Sequence, residues 1–145
     1  MHSKVIHDAG GLRTIAAIFE VGDEVMSGLG ELSRREKITG AQITGIGAFS
    51  DALLAYFEWD KRAYREISVD DQVEVASLIG DIGVNPDGSP AIHIHIVLGR
   101  LDGTAVAGHL VKAHVRPTLE LILTDSPEHL CRRKDSESGL NLIRL

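Results

Sequence analysis

The segment Ile92-His93-Ile94-His95-Ile96 alternates strictly between isoleucine and histidine. Successive side chains of a β-strand point to opposite faces, so this alternation is typical of a strand that buries its isoleucines on one face. His93 and His95 then lie together on the other face, about 6.5 Å apart along the strand. A chain with this segment must therefore form a sheet with one apolar face and one face that accepts two imidazoles.

Strand patterns dominate the rest of the chain, and a helical pattern occurs once. Val25, Leu29 and Leu32 recur at the spacing of one helix face. Gly22-Asp23 before them offers an N-cap, so residues 23–37 are predicted to form an amphipathic helix. The predicted fold class is α+β, a mainly antiparallel β-sheet with one long helix packed on it. With 145 residues and no linker or repeat, the chain is expected to form a single domain, residues 1–145. The predicted strands cover residues 12–19, 41–46, 52–58, 63–69, 73–82, 91–98, 104–111 and 118–124.

Composition narrows the classes of function. The one cysteine, Cys131, excludes an internal disulfide and any Cys-x-x-Cys site. The start of the chain lacks a signal-peptide core, and no apolar run reaches the length of a membrane span. We therefore expect a cytoplasmic protein without a membrane partner. The net charge of -6 disfavours nucleic acid unless basic residues gather on one surface. The one basic triplet, Arg132-Arg133-Lys134, is followed by acidic residues and is interpreted as a solvated loop.

A third histidine, His109, follows His95 by fourteen residues, beyond a turn predicted at Asp102-Gly103. The length of this loop decides whether the two histidines share a face. A two-residue loop pairs His95 with Leu110 and places His109 on the opposite face. A three-residue loop or a bulge pairs His95 with His109 instead. The sequence leaves both registers open, and a neighbouring subunit is a further source of the third ring.

Three imidazoles that converge with one open position resemble the ligand set of a catalytic zinc, and imidazole also suits iron, copper and nickel. We therefore interpret His93, His95 and His109 as ligands of a divalent transition metal, with zinc as one candidate. Glu120, on a later predicted strand, is a candidate fourth ligand, partner of an imidazole N–H, or catalytic general base. The alternative is that the histidines hydrogen-bond in a polar interior or a subunit interface without a metal. His114 fits the alternation less clearly and is the weaker ligand candidate.

Signatures of other enzyme classes do not appear. Gly45-Ile46-Gly47 begins like a dinucleotide-binding loop, but Ser50 stands where a glycine is required, and a strand rather than a helix follows. The sequence contains neither a Gly-x-Ser-x-Gly nucleophile elbow nor a Gly-x-x-x-x-Gly-Lys phosphate loop. The histidines therefore remain the strongest chemical signal in the chain.

Several short motifs resemble the plant and prokaryote conserved domain and occur in the order in which that family has them. Each motif is weak alone, but the ordered set runs over almost the whole chain. The motifs are Val21-Gly22-Asp23-Glu24, Thr44-Gly45-Ile46-Gly47-Ala48-Phe49-Ser50-Asp51, Leu78-Ile79-Gly80-Asp81-Ile82, His93-Ile94-His95, Gly108-His109-Leu110, Thr118-Leu119-Glu120 and Ser138-Gly139-Leu140-Asn141-Leu142.

The resemblance implies an α+β domain that assembles as a homotrimer, with the histidines near the subunit contacts. Bacterial members of the family are commonly labelled DNA-binding proteins, while in plants the domain serves mainly self-association and partner contacts. Ala107-Gly108-His109 stands where the family has Gly-Gly-His, a change that keeps the imidazole. The sequence has no Arg-Gly-Arg-Pro AT-hook, the segment with which the plant proteins read the minor groove.

Three functions are consistent with these observations. The first is a homotrimeric module with a metal or ligand site at His93, His95 and His109. The second is a DNA-binding transcriptional regulator or nucleoid-associated protein, and the third is a small metal-dependent enzyme with Glu120 as its base. We favour the first, because the net charge counts against DNA and no residue identifies a substrate.

Overall fold

The computed structural model describes residues 1–144 and confirms the predicted α+β class. Within these residues, a seven-stranded antiparallel sheet packs with one α-helix, and a small two-stranded sheet follows. The strands are β1 (His2–Ala9), β2 (Leu12–Glu20), β3 (Ala41–Glu58), β4 (Ala63–Val69), β5 (Val73–Val84), β6 (Pro90–Gly99), β7 (Ala105–Asp125), β8 (Arg132–Lys134) and β9 (Asn141–Ile143). The helix is α1 (Val25–Glu36), and a 3-10 turn covers Trp59–Lys61.

The large sheet curves into a ring. Its strand order is β1-β2-β7-β6-β5-β3-β4, and β3 also pairs with β7, which closes β7, β6, β5 and β3 on themselves. Ile94 and Ile96 of β6 are buried in the core, at 0% and 2% exposure. They belong to one apolar cluster with Phe19 of β2 and Leu29 of α1. Because side chains alternate along β6, its two histidines face outward.

Strands β3 and β7 are longer than the sequence patterns predicted. They span 18 and 21 residues, where we predicted two shorter strands in each place. Gly47, Ser50 and Asp51 stand between the two strands predicted at 41–46 and 52–58, but they lie at or beside register shifts between β3 and β7. A bulge bends a strand without ending it. Because residues typical of turns also occur in bulges, such a segment is easily interpreted from the sequence as a turn between two strands.

Helix α1 confirms the predicted helix, with both ends slightly shifted. Its N-cap is Glu24, whose carboxylate accepts hydrogen bonds from the backbone N–H groups of Met26 (3.0 Å) and Ser27 (2.8 Å). Asp23, in the predicted cap, instead accepts a hydrogen bond from the backbone N–H of Glu20 at 2.8 Å. The buried residues of the helix are Val25, Leu29, Leu32 and Ser33.

Three strands of the structure were not predicted. Strand β1 is exposed along almost its whole length and therefore lacks an alternating pattern. Strands β8 and β9 have three residues each, too few to show a period. None of the helices within residues 1–144 is long and apolar enough to span a membrane.

Candidate metal centre

The turn between β6 and β7 sets the register of the two strands that carry the histidines. Leu101-Asp102-Gly103 forms a three-residue loop, closed by a backbone hydrogen bond of 2.8 Å between its flanking residues. Gly103 has a φ of +82°, a left-handed conformation that glycine adopts without strain. With this loop, His95 pairs directly with His109. Of the two registers left open by the sequence, the structure has the one that places both histidines on the same face.

His93, His95 and His109 come together on the outer surface of the ring of strands. Each offers one nitrogen, and the three nitrogens lie within 4.8 Å of one another. The ring centroids are 5.0 Å apart for His93 and His95, 5.1 Å for His93 and His109, and 5.7 Å for His95 and His109. Imidazole nitrogens on one tetrahedral zinc lie about 3.3 Å apart, so small side-chain rotations are enough to close the set on an ion.

Burial disfavours the protonated form of two of these imidazoles. It lowers the pKa of His109 to about 4, and the charges of His93, His95 and Arg132 act in the same direction. Burial, followed by the charge of His93, also lowers the pKa of His95. Nδ1 of His109 is buried and has no hydrogen-bond partner within residues 1–144. A buried imidazole nitrogen without a partner is unfavourable, and coordination to a metal ion would satisfy it.

Asp81 connects one histidine of the cluster to a buried arginine. It pairs with His93 across β5 and β6, and its Oδ2 lies 3.7 Å from Nδ1 of His93. Its Oδ1 accepts a hydrogen bond from Nη2 of Arg132. Burial would raise the pKa of Asp81, but its interactions with His93 and Arg132 outweigh this effect and hold the pKa below its usual value. The charged carboxylate attracts Nδ1 of His93, so Nε2 is the nitrogen that would be left for a ligand.

Neither Asp81 nor Arg132 was predicted as a site residue. The interpretation of the basic triplet as a solvated loop is wrong for Arg132, whose side chain is 7% exposed and which begins strand β8. Arg133 and Lys134 are exposed, as expected. One signal was visible, because Asp81 is the only charged residue in the stretch from Ala76 to Val84. The contact of Asp81 with His93 could not be predicted, because it depends on the pairing of β5 with β6.

An aromatic side chain covers the ring of His109. Tyr64 of β4 stacks on it with ring centroids 5.2 Å apart and an interplanar angle of 27°. Phe57 of β3 contacts Tyr64 edge to face at 5.3 Å. Tyr64 thus packs directly against the cluster, and Phe57 packs behind it.

Glu120 and His114 lie apart from the three histidines. Glu120 is exposed and stands eleven residues beyond His109 on β7, in the part of that strand that pairs with β2. Nδ1 of His114 forms a hydrogen bond with Oδ1 of Asp51 at 2.8 Å. Within one chain, the structure brings neither residue to the histidine cluster.

The family model of the Plants and Prokaryotes Conserved (PCC) domain matches residues 7–127. The chain belongs to the PCC domain family. The resemblance that the sequence motifs indicated is thereby confirmed. The three clustered histidines lie inside the matched range of the PCC domain, whereas Arg132 and the β8–β9 hairpin follow it. No curated protein is significantly similar to this PCC chain.

Three solved structures share this PCC fold over nearly their whole length. A protein from Archaeoglobus fulgidus, described as metal-containing, is 27% identical with a TM-score of 0.85, over 99% of this chain and 97% of that one. A plant- and prokaryote-conserved protein from Pyrococcus horikoshii is 30% identical with a TM-score of 0.85, over 96% and 98%. A protein from Bacteroides thetaiotaomicron whose description proposes DNA binding is 27% identical with a TM-score of 0.85, over 95% and 94%.

Proposed function

We propose that this PCC-domain protein binds a divalent transition metal through His93, His95 and His109. The observation that carries the proposal is the convergence of three imidazole nitrogens within 4.8 Å of one another. The buried Nδ1 of His109, which lacks a partner among the described residues, supports it. The description of the Archaeoglobus fulgidus relative as metal-containing supports it as well.

The ligand set favours zinc or a neighbouring transition metal. Neutral imidazoles suit these ions, whereas magnesium and calcium prefer oxygen ligands. Three protein ligands leave a coordination position open, at which the metal would act as a Lewis acid on a bound group. Asp81 would hold the ring of His93 in place, and Tyr64 would hold that of His109.

We also propose that the protein assembles as a homotrimer, as the family resemblance implies. An apolar cross-strand row on the outer surface leads to the histidines. Thr44 of β3 pairs with Ile122 on one side and with Ile79 on the other, and Ile79 pairs in turn with His95. Ile79 is 57% exposed and Ile122 is 43% exposed. A second copy of the chain seated on this row would bury these isoleucines beside the metal centre.

Native mass spectrometry of the untagged, zinc-supplemented protein tests both proposals at once. We expect a trimer with about one metal ion per chain. His95→Ala should lose the metal, while His129→Ala, an exposed histidine outside the cluster, should keep it. Metal-free protein after zinc supplementation, or equal metal loss in both variants, would refute the metal centre.

Substitution of an exposed isoleucine in this cross-strand row tests the proposed homotrimer separately. Ile79→Glu introduces a charge into the proposed interface, so we expect monomers. Ile6→Glu is the matched control, because Ile6 is 54% exposed on β1, outside the row. A monomeric unmodified protein, or a trimer that survives Ile79→Glu, would refute the interface.

DNA binding is the lower-ranked alternative. It is favoured by the descriptions of relatives from Bacteroides thetaiotaomicron and Ralstonia eutropha. The net charge of -6 opposes it, and Arg132 of the one basic triplet pairs with Asp81 instead of facing solvent. Contacts with DNA phosphates strengthen as the salt concentration falls. If fluorescence anisotropy detects no binding to duplex DNA at about 50 mM salt, this function is excluded.

A metal-dependent enzyme with Glu120 as general base is the other lower-ranked proposal. The position of Glu120 on β7 means that a neighbouring subunit would have to bring it to the metal. Glu120→Gln should then leave the metal content unchanged and abolish hydrolysis of a simple ester such as p-nitrophenyl acetate. Hydrolysis that persists in this variant would exclude Glu120 as the base.

A further inference from the structure

A cavity of about 410 Å³ lies beside two of the clustered histidines, His93 and His109. Arg132 of β8, which is distant from His93 and His109 in sequence, also lines this cavity. A larger cavity, of about 660 Å³, lies at the turns formed by residues 71–74 and 99–102 and contains none of the three histidines. Of these two cavities, the smaller one combines histidines of the proposed metal centre with a guanidinium. Its apolar walls include Met26, Ile92, Leu140 and Leu142.

Arg132 is buried with part of its hydrogen-bonding capacity unused. Its side chain is 7% exposed, its Nη2 donates to Asp81, and its Nη1 donates to the carbonyl of Asn141 at 3.1 Å. The Nε–H is buried and has no acceptor within residues 1–144. A guanidinium in which a buried N–H lacks an acceptor is prepared for an additional anionic or carbonyl oxygen.

The charges around the cavity favour an anion over a neutral ligand. No carboxylate lines the cavity among the described residues. Asp81 balances the charge of Arg132, with which it forms an ion pair. A divalent metal held by neutral imidazoles would therefore add positive charge that nothing in the cavity balances. Such a charge in a partly buried site is stabilised by a ligand of opposite sign.

The geometry points to a small aliphatic carboxylate as the ligand of this cavity. One carboxylate oxygen would occupy the open position of the metal, and the other would accept a hydrogen bond from Arg132. The alkyl part would pack against the aliphatic walls. The inference rests on the proposed metal function and adds the chemical class of molecule that the metal centre binds.

A carboxylate suits these surroundings better than a phosphate. Phosphate carries more charge and more acceptor oxygens, and its sites usually supply several backbone N–H groups or basic side chains. This cavity offers one arginine and mostly apolar walls. A monoanion with a hydrocarbon tail therefore matches both the polar and the apolar parts of the lining.

Calorimetric titration of the zinc-loaded protein tests the inference with three probes of known chemistry. These are 3-methylbutanoate, its neutral isostere 3-methylbutanamide, and inorganic phosphate. We expect 3-methylbutanoate to bind at least about tenfold more tightly than the amide, because only the acid supplies the negative charge. We expect phosphate to bind more weakly than the acid. This comparison uses the unmodified protein and does not depend on the folding of a variant.

Three variants then test whether Arg132 causes the preference for the acid over the amide. Arg132→Gln should remove the preference for the acid over the amide, while Arg133→Gln should retain it, because Arg133 is the exposed neighbour on β8. Arg132→Lys keeps the charge but lacks Nε–H, so its preference should be intermediate. As a control, metal analysis and thermal unfolding of every sample should show that the zinc and the fold are retained.

The outcomes separate this inference from the proposed metal function. Zinc binding with an acid preference that depends on Arg132 supports both. If the protein binds zinc but binds the acid and the amide with equal affinity, the inference is overturned and the metal function stands. The same holds if the zinc-loaded protein binds phosphate as tightly as the acid. A protein that binds no zinc overturns the metal function, and the inference with it.

Discussion

Two regions of strand β7 each carry a histidine beside polar neighbours. They differ in whether the chain itself supplies a hydrogen-bond partner for Nδ1 of the imidazole. At the first, Nδ1 of His114 pairs with Asp51 at 2.8 Å, and the other oxygen of Asp51 accepts a hydrogen bond from Ser50 at 2.8 Å. At the metal centre, Nδ1 of His109 is buried without a partner in the described part of the chain. The chain itself supplies the hydrogen-bond partner of His114, whereas His109 lacks a partner that a ligand would supply.

The difference arises from the strand that lies opposite each histidine. His114 faces Asp51 of β3, while His109 faces His95 of β6 and Ala55 of β3. A carboxylate is a hydrogen-bond acceptor for an imidazole N–H, whereas a second imidazole in a crowded cluster opposes protonation. Partner strands therefore give two histidines of the same strand different chemistry.

Substitution of the two histidines should separate the two regions most strongly. His109→Ala should lower the zinc affinity by at least about 100-fold, because it removes one of three ligands from the metal. His114→Ala should change it less than about twofold, because His114 is outside the cluster. Competition with a chromophoric chelator measures both affinities, and equal losses in the two variants would contradict the assigned ligand set.

A smaller effect is expected at the two carboxylates. Asp81→Asn should lower the zinc affinity by about tenfold, because the ring of His93 loses its charged partner. Asp51→Asn is the matched control and should leave the affinity unchanged, since Asp51 orients His114 instead. The same chelator assay decides, and an unchanged affinity in Asp81→Asn would show that His93 needs no such support.

The two regions should also lose stability in different pH ranges in the metal-free protein. The pKa of His109 is about 4 in the folded state against 6.5 as its ordinary value. Between these values the unfolded chain binds a proton that the folded chain excludes, so stability falls as the pH drops from 6.5 to 4. The hydrogen bond from His114 lowers the pKa of Asp51 below 3.8. Its stabilisation is present above pH 3.8 and is lost as the pH falls through the lowered value.

Urea unfolding at a series of pH values checks this separation. His109→Gln should flatten the decline in the free energy of unfolding between pH 6.5 and 4. Asp51→Asn should leave that range unchanged and flatten the decline only at lower pH. If both substitutions act in the same range, the two histidines do not differ in the way that their contacts indicate.

A weaker effect is expected at the turn that aligns His95 with His109. Gly103→Ala should lower the free energy of unfolding by about 1 kcal/mol, because alanine is strained at a φ of +82°. A Cβ at this position would contact nothing within 4 Å, so the cost comes from the backbone alone. Zinc affinity should stay within about twofold, because His95 and His109 keep their pairing. A large loss of affinity without a loss of stability would show that the turn acts directly on the site.

Much of the site was predictable because strand periodicity is a local property. The alternation around His93 and His95 predicted both their shared face and the buried isoleucines, and the structure confirms this arrangement. The three-residue loop that brings in His109 was one of two open alternatives, since the backbone hydrogen bond that closes it can form between residues of many types. The contributions of Asp81 and Arg132 were not predicted, because neither residue lies near the histidines in sequence.

The α+β class, the single long helix, the outward histidines of β6 and membership of the PCC family could all be predicted from the sequence. These features depend on side-chain periodicity and on short ordered motifs, which are local properties of the chain. The strand that lies opposite each histidine could be identified only from the folded structure, and this strand determines which ring is paired and which is not. The burial of Arg132 beside Asp81 could likewise be identified only from the folded structure. Contacts between distant residues follow from how bent strands close on one another, and this depends on bulges and turns whose geometry no local pattern specifies.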